Sequence, residues 1–452
     1  MNQYAVLKFG GTSVADAGAM RAVADIVKSS RPCVVVLSAT AGTTNRLLEL
    51  AQLAEAGHLN TAMENAEKLK GRHLSICREL GVENSSELNE RLDRIFDELE
   101  SIVKGIYYLG ETTARAKDRL LAQGELLSTV IFAEYLNKIF PASLVDAREF
   151  MLTDDKFGKA NPLVPELTEL VMEKVLPILK SGIVVVTQGF IGKSREGATT
   201  TLGRGGSDFT ASLIGMALQA GKIEIWTDVS GVYTADPRVV PHARPVNYLT
   251  FEEASELAYF GAKVLHPSTI LPAMQQKIPV YVKNTHQPAD PGTCITKNGG
   301  EEGQVRAIAF KKGITMVTIE SSRMLMAYGF LERLFAVFSA HETAVDLIST
   351  SEISVSLTID DETHLSSIVK EVEKFARVTI QRKRGMIALV GNKIRERRGF
   401  LGEAFSVLKD VPVEMVSFGG SNINLSLIVP GEKLERTVRD LHAFFFDGGL
   451  HG

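Results

Sequence analysis

At 452 residues the chain is long enough for two or three domains with buried cores. Hydrophobic residues make up 45% and charged residues 23%, and the net charge of −4 gives no electrostatic case for nucleic acid or an anionic membrane. No apolar run nears the ~18 residues of a spanning helix, and the strand-like Tyr4–Phe9 follows the start with no basic or apolar leader. Three scattered cysteines, Cys33, Cys77 and Cys294, lack C-x-x-C spacing, so a reduced, cytoplasmic protein is expected.

In chain order, short Val/Ile-rich runs predict strands at Ala5–Phe9, Cys33–Leu37, Ser143–Asp146, Ile183–Thr187, Lys222–Thr227 and Val280–Lys283. Continuous apolar runs suit strands covered on both faces, so residues 1–298 read as one α/β domain with a mainly parallel sheet. Residues 61–136 read as a helical insertion, with Ser85 capping the run Ser85–Leu99. Lys8 ends the first strand and precedes Gly10, Gly11 and a helix expected from Thr12–Ser13, placing a cation beside free helix amides. Leu37–Asn45 is a second strand-to-helix loop, rich in hydroxyls, and Gly124-Glu125 reads as a turn between two helical runs. Thr199–Ala211 sets three glycines around Arg204, then offers Ser207 or Asp208 as N-cap for a helix over Phe209–Leu218. A guanidinium between glycines suits bidentate capture of a carboxylate or phosphate. Each loop alone also admits a plainer reading, as a surface turn or a capped helix start.

Gly-rich 299–303 reads as a linker, and an internal repeat follows. Residues 314–384 read βαββαβ, and Met386–Val390 begins the same order again. Both copies carry Gly-Phe-Leu before their first helix, at Gly329–Leu331 and Gly399–Leu401. The second copy lacks its sixth element, and the strand-like 304–310 has no partner in the first. A crossing is therefore expected: 304–310 joins 385–452, nesting the first repeat inside the second. The Arg/Lys cluster at 382–398 reads as a solvated turn region, since it has no aromatic interleaving.

Lys8–Ser13, Thr199–Ala211, Trp226–Arg238 and Phe260–Pro267, in that order along nearly the whole chain, resemble the aspartate kinases of the amino-acid kinase family. The likeness is greatest to the lysine-sensitive, monofunctional type. It implies an amino-acid kinase fold followed by two ferredoxin-like ACT domains, and ATP-dependent 4-phosphorylation of L-aspartate. It further implies that Lys8 stabilises the transferred phosphoryl group and Asp208 orients Lys8. Ser38, Gly10 and Gly11 meet the phosphates, while Thr227, Asp228, Tyr233, Arg238 and Lys263 hold the nucleotide. Thr44, Glu125, Arg204 and Ser207 hold aspartate: Glu125 takes the ammonium and Arg204 the α-carboxylate. No P-loop motif is present, and no protein metal site is expected, because Mg²⁺ arrives with ATP and keeps several waters. Aspartate's side chain is ionised at pH 7, so no base is needed and His266 reads as structural.

The same resemblance implies L-lysine as inhibitor and a homodimer or higher oligomer through the ACT domains. Effector contacts are expected at Met324, Gly329, Phe330, Leu331, Val345, Asp346, Thr350, Ser351 and Glu352. Ala327 departs from the pattern by lacking a hydroxyl, which should weaken lysine binding about tenfold. Two rival readings are a kinase of this fold acting on glutamate, acetylglutamate or a nucleotide, and a catalytically dead amino-acid sensor. The Trp226–Arg238 motif and the repeats oppose the first. Intact Lys8, Arg204, Asp208 and Lys263 oppose the second.

Overall fold

The apolar run Ala5–Phe9 forms the strand around which the first half is built, with Val6, Leu7 and Phe9 fully buried. In this computed structural model, which describes residues 4–261, 269–321, 324 and 328–448, the chain forms two compact units. One is Met1–Val232 with Val264–Asn298; the other is Tyr233–Lys263 with Gly299–Gly452. Among the described residues no helix is long and apolar enough to cross a membrane.

In the first unit the strands run in the order Ala142–Leu144, Val184–Gln188, Cys33–Leu37, Ala5–Phe9, Lys222–Thr227, Val280–Asn284, Thr293–Thr296. Every pair is parallel except the last. The two interior runs Cys33–Leu37, apolar throughout, and Val184–Gln188, apolar but for Thr187 and Gln188, are buried at every position, as double coverage requires. The stretch expected as an insertion is three helices, Leu59–Leu80, Ser86–Leu109 and Ala114–Asn137. Left-handed Gly81 and Gly110 end the first two, and the Leu88 amide donates to the capping Ser85 hydroxyl at 3.3 Å. Leu69, Leu92, Phe96 and Val103 share one core with Leu7, Phe9 and Val35, so these helices complete the domain.

In the second unit six strands form one antiparallel sheet. Their order is Ile348–Thr350, Ser354–Ile359, Ala307–Glu320, Arg377–Val390, Asn424–Pro430, Met415–Phe418. The strand expected at 304–310 and the one expected to open 314–384 are a single strand, Ala307–Glu320, irregular around Gly313 at φ 74°. Its first part, Ala307–Lys311, pairs with Met386–Val390; Met316–Glu320 pairs with Arg377–Gln381. Two apolar clusters form, one around Val317, Leu334 and Leu357, the other around Ile308, Leu389, Phe400 and Leu427. A boundary at 298 does not describe Tyr233–Lys263. Ala235, Val239 and Val240 are buried in the second cluster, and the Ile308 amide donates to Thr234 O at 2.7 Å.

Candidate active site

Lys8 sits one residue before the end of the central strand, level with Val36 and Ile225 on its neighbours. Its Nζ lies 2.7 Å from Asp208 Oδ1, with the two side chains only 12% and 14% exposed. Asp208 is the third residue of the helix Gly206–Leu218. That helix is not capped by Ser207 or Asp208: Gly205, left-handed at φ 73°, holds the N-cap position, and both side chains stand in the first turn. Ser38 Oγ donates to Ser207 Oγ at 3.0 Å, so the second strand's loop meets the same helix turn. An ammonium, two hydroxyls and a helix N-terminus thus converge, which is the environment an anion seeks.

The chain after Lys8 turns through Gly10 and Gly11. A Cβ on Gly11 would lie 2.8 Å from Ala39 O, so only glycine lets these two loops touch. The helix expected at Thr12–Ser13 is a single 3₁₀ turn, Thr12–Val14; the long helix begins at Ala17, where Asp16 accepts from the Ala19 amide at 2.9 Å. Asp16 is the better cap because its carboxylate can bond the third amide beyond it.

Glu125 lies not at a turn but inside the helix Ala114–Asn137, 4% exposed. A Cβ on Gly124 would fall 2.8 Å from Ala39 Cβ, so this glycine lets the helix pack against the loop. The Ala39 amide donates to Glu125 Oε1 at 3.1 Å, while Oε2 is buried without a hydrogen-bond partner among the described residues. Burial pushes the carboxyl up to about 8. An oxygen left bare in such a place is costly until a donor reaches it. Thr44 stands second in the helix Thr43–Glu55, half-buried, and Arg204 is exposed.

Sequence reasoning missed the supports of these loops. Ser128 Oγ donates to Ser38 O at 2.8 Å, and Gln188 Nε2 donates to Thr129 Oγ1 at 2.7 Å. Arg72 bridges two loops, donating to Ala41 O at 2.8 Å and Ala15 O at 2.9 Å. His73 Nδ1 can only donate to Leu69 O, so its Nε2 accepts from Thr40 Oγ1 at 3.2 Å; burial pushes that imidazole down to about 4, keeping it neutral. Asp118 accepts from the Thr201 amide and hydroxyl, both at 2.8 Å, and so holds the strand that enters the Gly-rich turn. The one available signal was Ser128 and Thr129, small and polar within the apolar run of the helix Ala114–Asn137.

Thr227 ends its strand, and its hydroxyl donates to Asp228 Oδ1 at 3.1 Å. Behind it Trp226 stacks on Phe9 at 5.9 Å and donates to buried Glu224 at 3.0 Å. Tyr233 and Arg238 belong to the second unit, where Arg238 pairs with Asp236 at 2.6 Å and its side chain is 85% exposed. Lys263, His266 and Ala327 lie outside the described residues.

The expected effector residues all fall in the second unit. Phe330 and Leu331 begin a helix behind left-handed Gly329 at φ 80°. Met324 and Val345 pack against that unit's first cluster, while Thr350, Ser351 and Glu352 are exposed. Asp346 is buried, and Tyr259 donates to its Oδ1 at 2.6 Å.

A mainly parallel sheet thus carries Lys8 one residue short of its central strand's end, paired to an aspartate in a helix's first turn, a place that suits an anion such as a phosphoryl group. The amino acid kinase family model matches residues 3–284, and an ACT domain model matches 387–445. The lysine-sensitive aspartokinase 3 of Escherichia coli is 40% identical, with 99% of this chain and all of that protein aligned. Its solved structure with aspartate and ADP superposes with a TM-score of 0.84 over 97% of this chain and 99% of that one. The form with lysine and aspartate gives 0.83 over 98% and 100%, also at 40% identity. The chain belongs to the aspartokinases of the amino acid kinase family, with ACT domains following the kinase region.

Proposed function

We propose that this aspartokinase transfers the γ-phosphoryl of ATP to the side-chain carboxylate of L-aspartate. The products are 4-phospho-L-aspartate and ADP, in the cytoplasm, as the first step toward lysine, threonine and methionine. The observation that carries the reading is the Lys8–Asp208 pair at the helix turn beside Ser38 and Ser207. Two anions must meet in line, and Lys8 lowers the charge that builds on the transferring group. Asp208 fixes the ammonium, and the helix amides add positive field at no reorganisation cost. Glu125 takes the substrate's ammonium on its bare Oε2 and Arg204 takes its α-carboxylate, so a zwitterion leaves neither unpaired. Gly10 and Gly11 keep the phosphate loop close, and Thr227 and Asp228 hold the nucleotide. Mg²⁺ bound to ATP would screen its phosphates. The repeats bind L-lysine and join subunits.

Acyl phosphate trapped by hydroxylamine tests the assignment. With ATP, aspartate should give hydroxamate and glutamate almost none; a preference for glutamate, or no hydroxamate from either, overturns it.

Glu125 makes a second test. In the free protein its carboxyl is protonated below about pH 8, because burial opposes the charge. An ammonium placed beside it favours the charged form, so aspartate binding should expel a proton and affinity should rise with pH up to about 8. Calorimetry in buffers of different ionisation heat reads that proton. Glu125→Gln should abolish its release, and equal release by the variant would place the ammonium elsewhere.

A further inference from the structure

Sequence spacing offers no protein metal site, yet the fold gathers one set of ligands from distant segments, far from the Lys8 chemistry in sequence and wholly within the second unit. Among the described residues His242, His442 and Asp447 bring their ligand atoms within 4.8 Å of one another. His242 Nε2 lies 2.9 Å from Asp447 Oδ2, and His442 Nδ1 lies 3.4 Å from the same oxygen. The two imidazoles meet edge to face, with ring centroids 5.2 Å apart.

Three features make this more than a surface ion pair. First, His442 is fully buried, and its Nδ1 has no hydrogen-bond partner among the described residues. Its Nε2 is held by the Thr234 hydroxyl at 2.9 Å, and that hydroxyl also accepts from the Arg244 amide at 3.0 Å. The Thr234 hydroxyl can donate to Nε2 or accept from it; in the tautomer with the proton on Nε2, the Nδ1 lone pair faces Asp447 Oδ2 at 3.4 Å, and a cation there would satisfy both. Second, Asp447 is the C-cap of the helix Leu434–Phe446, where the helix field disfavours an anion. Arg244 offsets part of this, donating to Phe446 O at 2.5 Å and standing 3.7 Å from Asp447 Oδ1. Oδ2 is left to the two imidazoles. Third, both inner groups have fixed supports, Thr234 for His442 and Arg244 for Asp447, as outer partners orient metal ligands elsewhere.

We propose that His242 Nε2, His442 Nδ1 and Asp447 Oδ2 bind one divalent transition metal of the zinc class, with water as fourth ligand. Tetrahedral zinc holds such atoms at ~2.0–2.2 Å, which spaces them roughly 3.3–3.5 Å apart. His242, with a side chain 62% exposed, is free to make the small adjustment. Two imidazoles and one carboxylate suit zinc, cobalt or nickel, whereas calcium and magnesium prefer all-oxygen shells. The bound ion fastens the loop carrying Thr234, His242 and Arg244 to the C-terminal end of the helix Leu434–Phe446.

The test uses the full-length, tag-free protein stripped by chelator, titrated with Co²⁺ alone and then with Zn²⁺. The expected result is one Co²⁺ per chain with the intense visible bands of a tetrahedral site, displaced by equimolar Zn²⁺. Zn²⁺ should also raise the thermal midpoint. His242→Ala and Asp447→Asn, both at exposed positions that the fold tolerates, should each weaken Co²⁺ binding by about tenfold or more and remove the thermal shift. The proposal is overturned if no tetrahedral band develops at about 100 µM metal. It is overturned equally if both variants bind as the wild type does, which would assign the ion to other ligands.

Discussion

Lys8→Ala should lower turnover by about 10²-fold or more while leaving the aspartate KM within a few-fold of normal. The size follows from the proposed role: the loss of an ammonium that faces charge developing only as the phosphoryl group transfers falls on kcat. The fold should survive. Removing the lysine strands Asp208, but that carboxylate is 14% exposed and stands in the first turn of a helix, where the amides stabilise an anion. Circular dichroism and the thermal midpoint should therefore change little. Asp208→Ala should cost less, because Lys8 keeps its charge and loses only its anchor. A Lys8→Ala enzyme turning over at near the wild-type rate would remove Lys8 from the chemistry.

The parts legible in the sequence are those set by local pattern. Cys33–Leu37 is apolar at every position and becomes a strand buried at every position, because double coverage demands both. Gly205 and Gly11 are needed for backbone shape and close approach, and the glycine-rich motifs flagged both loops. What was not legible comes from tertiary packing. Nothing around Glu125 in the sequence says that its helix is buried on all sides, yet burial gives the carboxyl its raised affinity for a proton. The same holds for Tyr233–Lys263, whose Ala235, Val239 and Val240 sink into a core otherwise built from Val305 to Leu441. Tyr259 and Lys311, which meet Asp346, carry no motif at all. The cap was misplaced because Ser207 and Asp208 are good N-caps by type, while a left-handed glycine one step earlier took the position.

L-Lysine should inhibit the enzyme, and Asp346→Ala or Thr350→Ile should relieve the inhibition while barely changing the uninhibited rate. Asp346 has the properties of an ammonium receiver. Its side chain is 4% exposed, and its Oδ2 is buried without a hydrogen-bond partner among the described residues. Its Oδ1 accepts from the Tyr259 hydroxyl at 2.6 Å and lies 3.5 Å from Lys311 Nζ, which in turn sits 4.5 Å over the Tyr259 ring. Burial and the neighbouring carboxylate push the Tyr259 phenol well up, so it stays protonated and donates. A second ammonium at Oδ2 would compete with Lys311 for one carboxylate and so change the hold on Tyr259. Tyr259 closes the helix Phe251–Tyr259, and Lys263, expected on the nucleotide phosphates, follows four residues later in the chain. With lysine bound there, effector and helix would share a single carboxylate, and a coupling of ~1–3 kcal/mol corresponds to a 5–150-fold change in apparent affinity. Tyr259→Phe separates binding from transmission: it keeps Asp346 available to lysine but removes the hydrogen bond, so lysine should still bind while inhibiting less. Steady-state rates with and without millimolar lysine, paired with calorimetric lysine binding, distinguish these outcomes. The coupling fails if lysine leaves the wild-type rate and aspartate affinity untouched, or if threonine, which carries one ammonium, inhibits better.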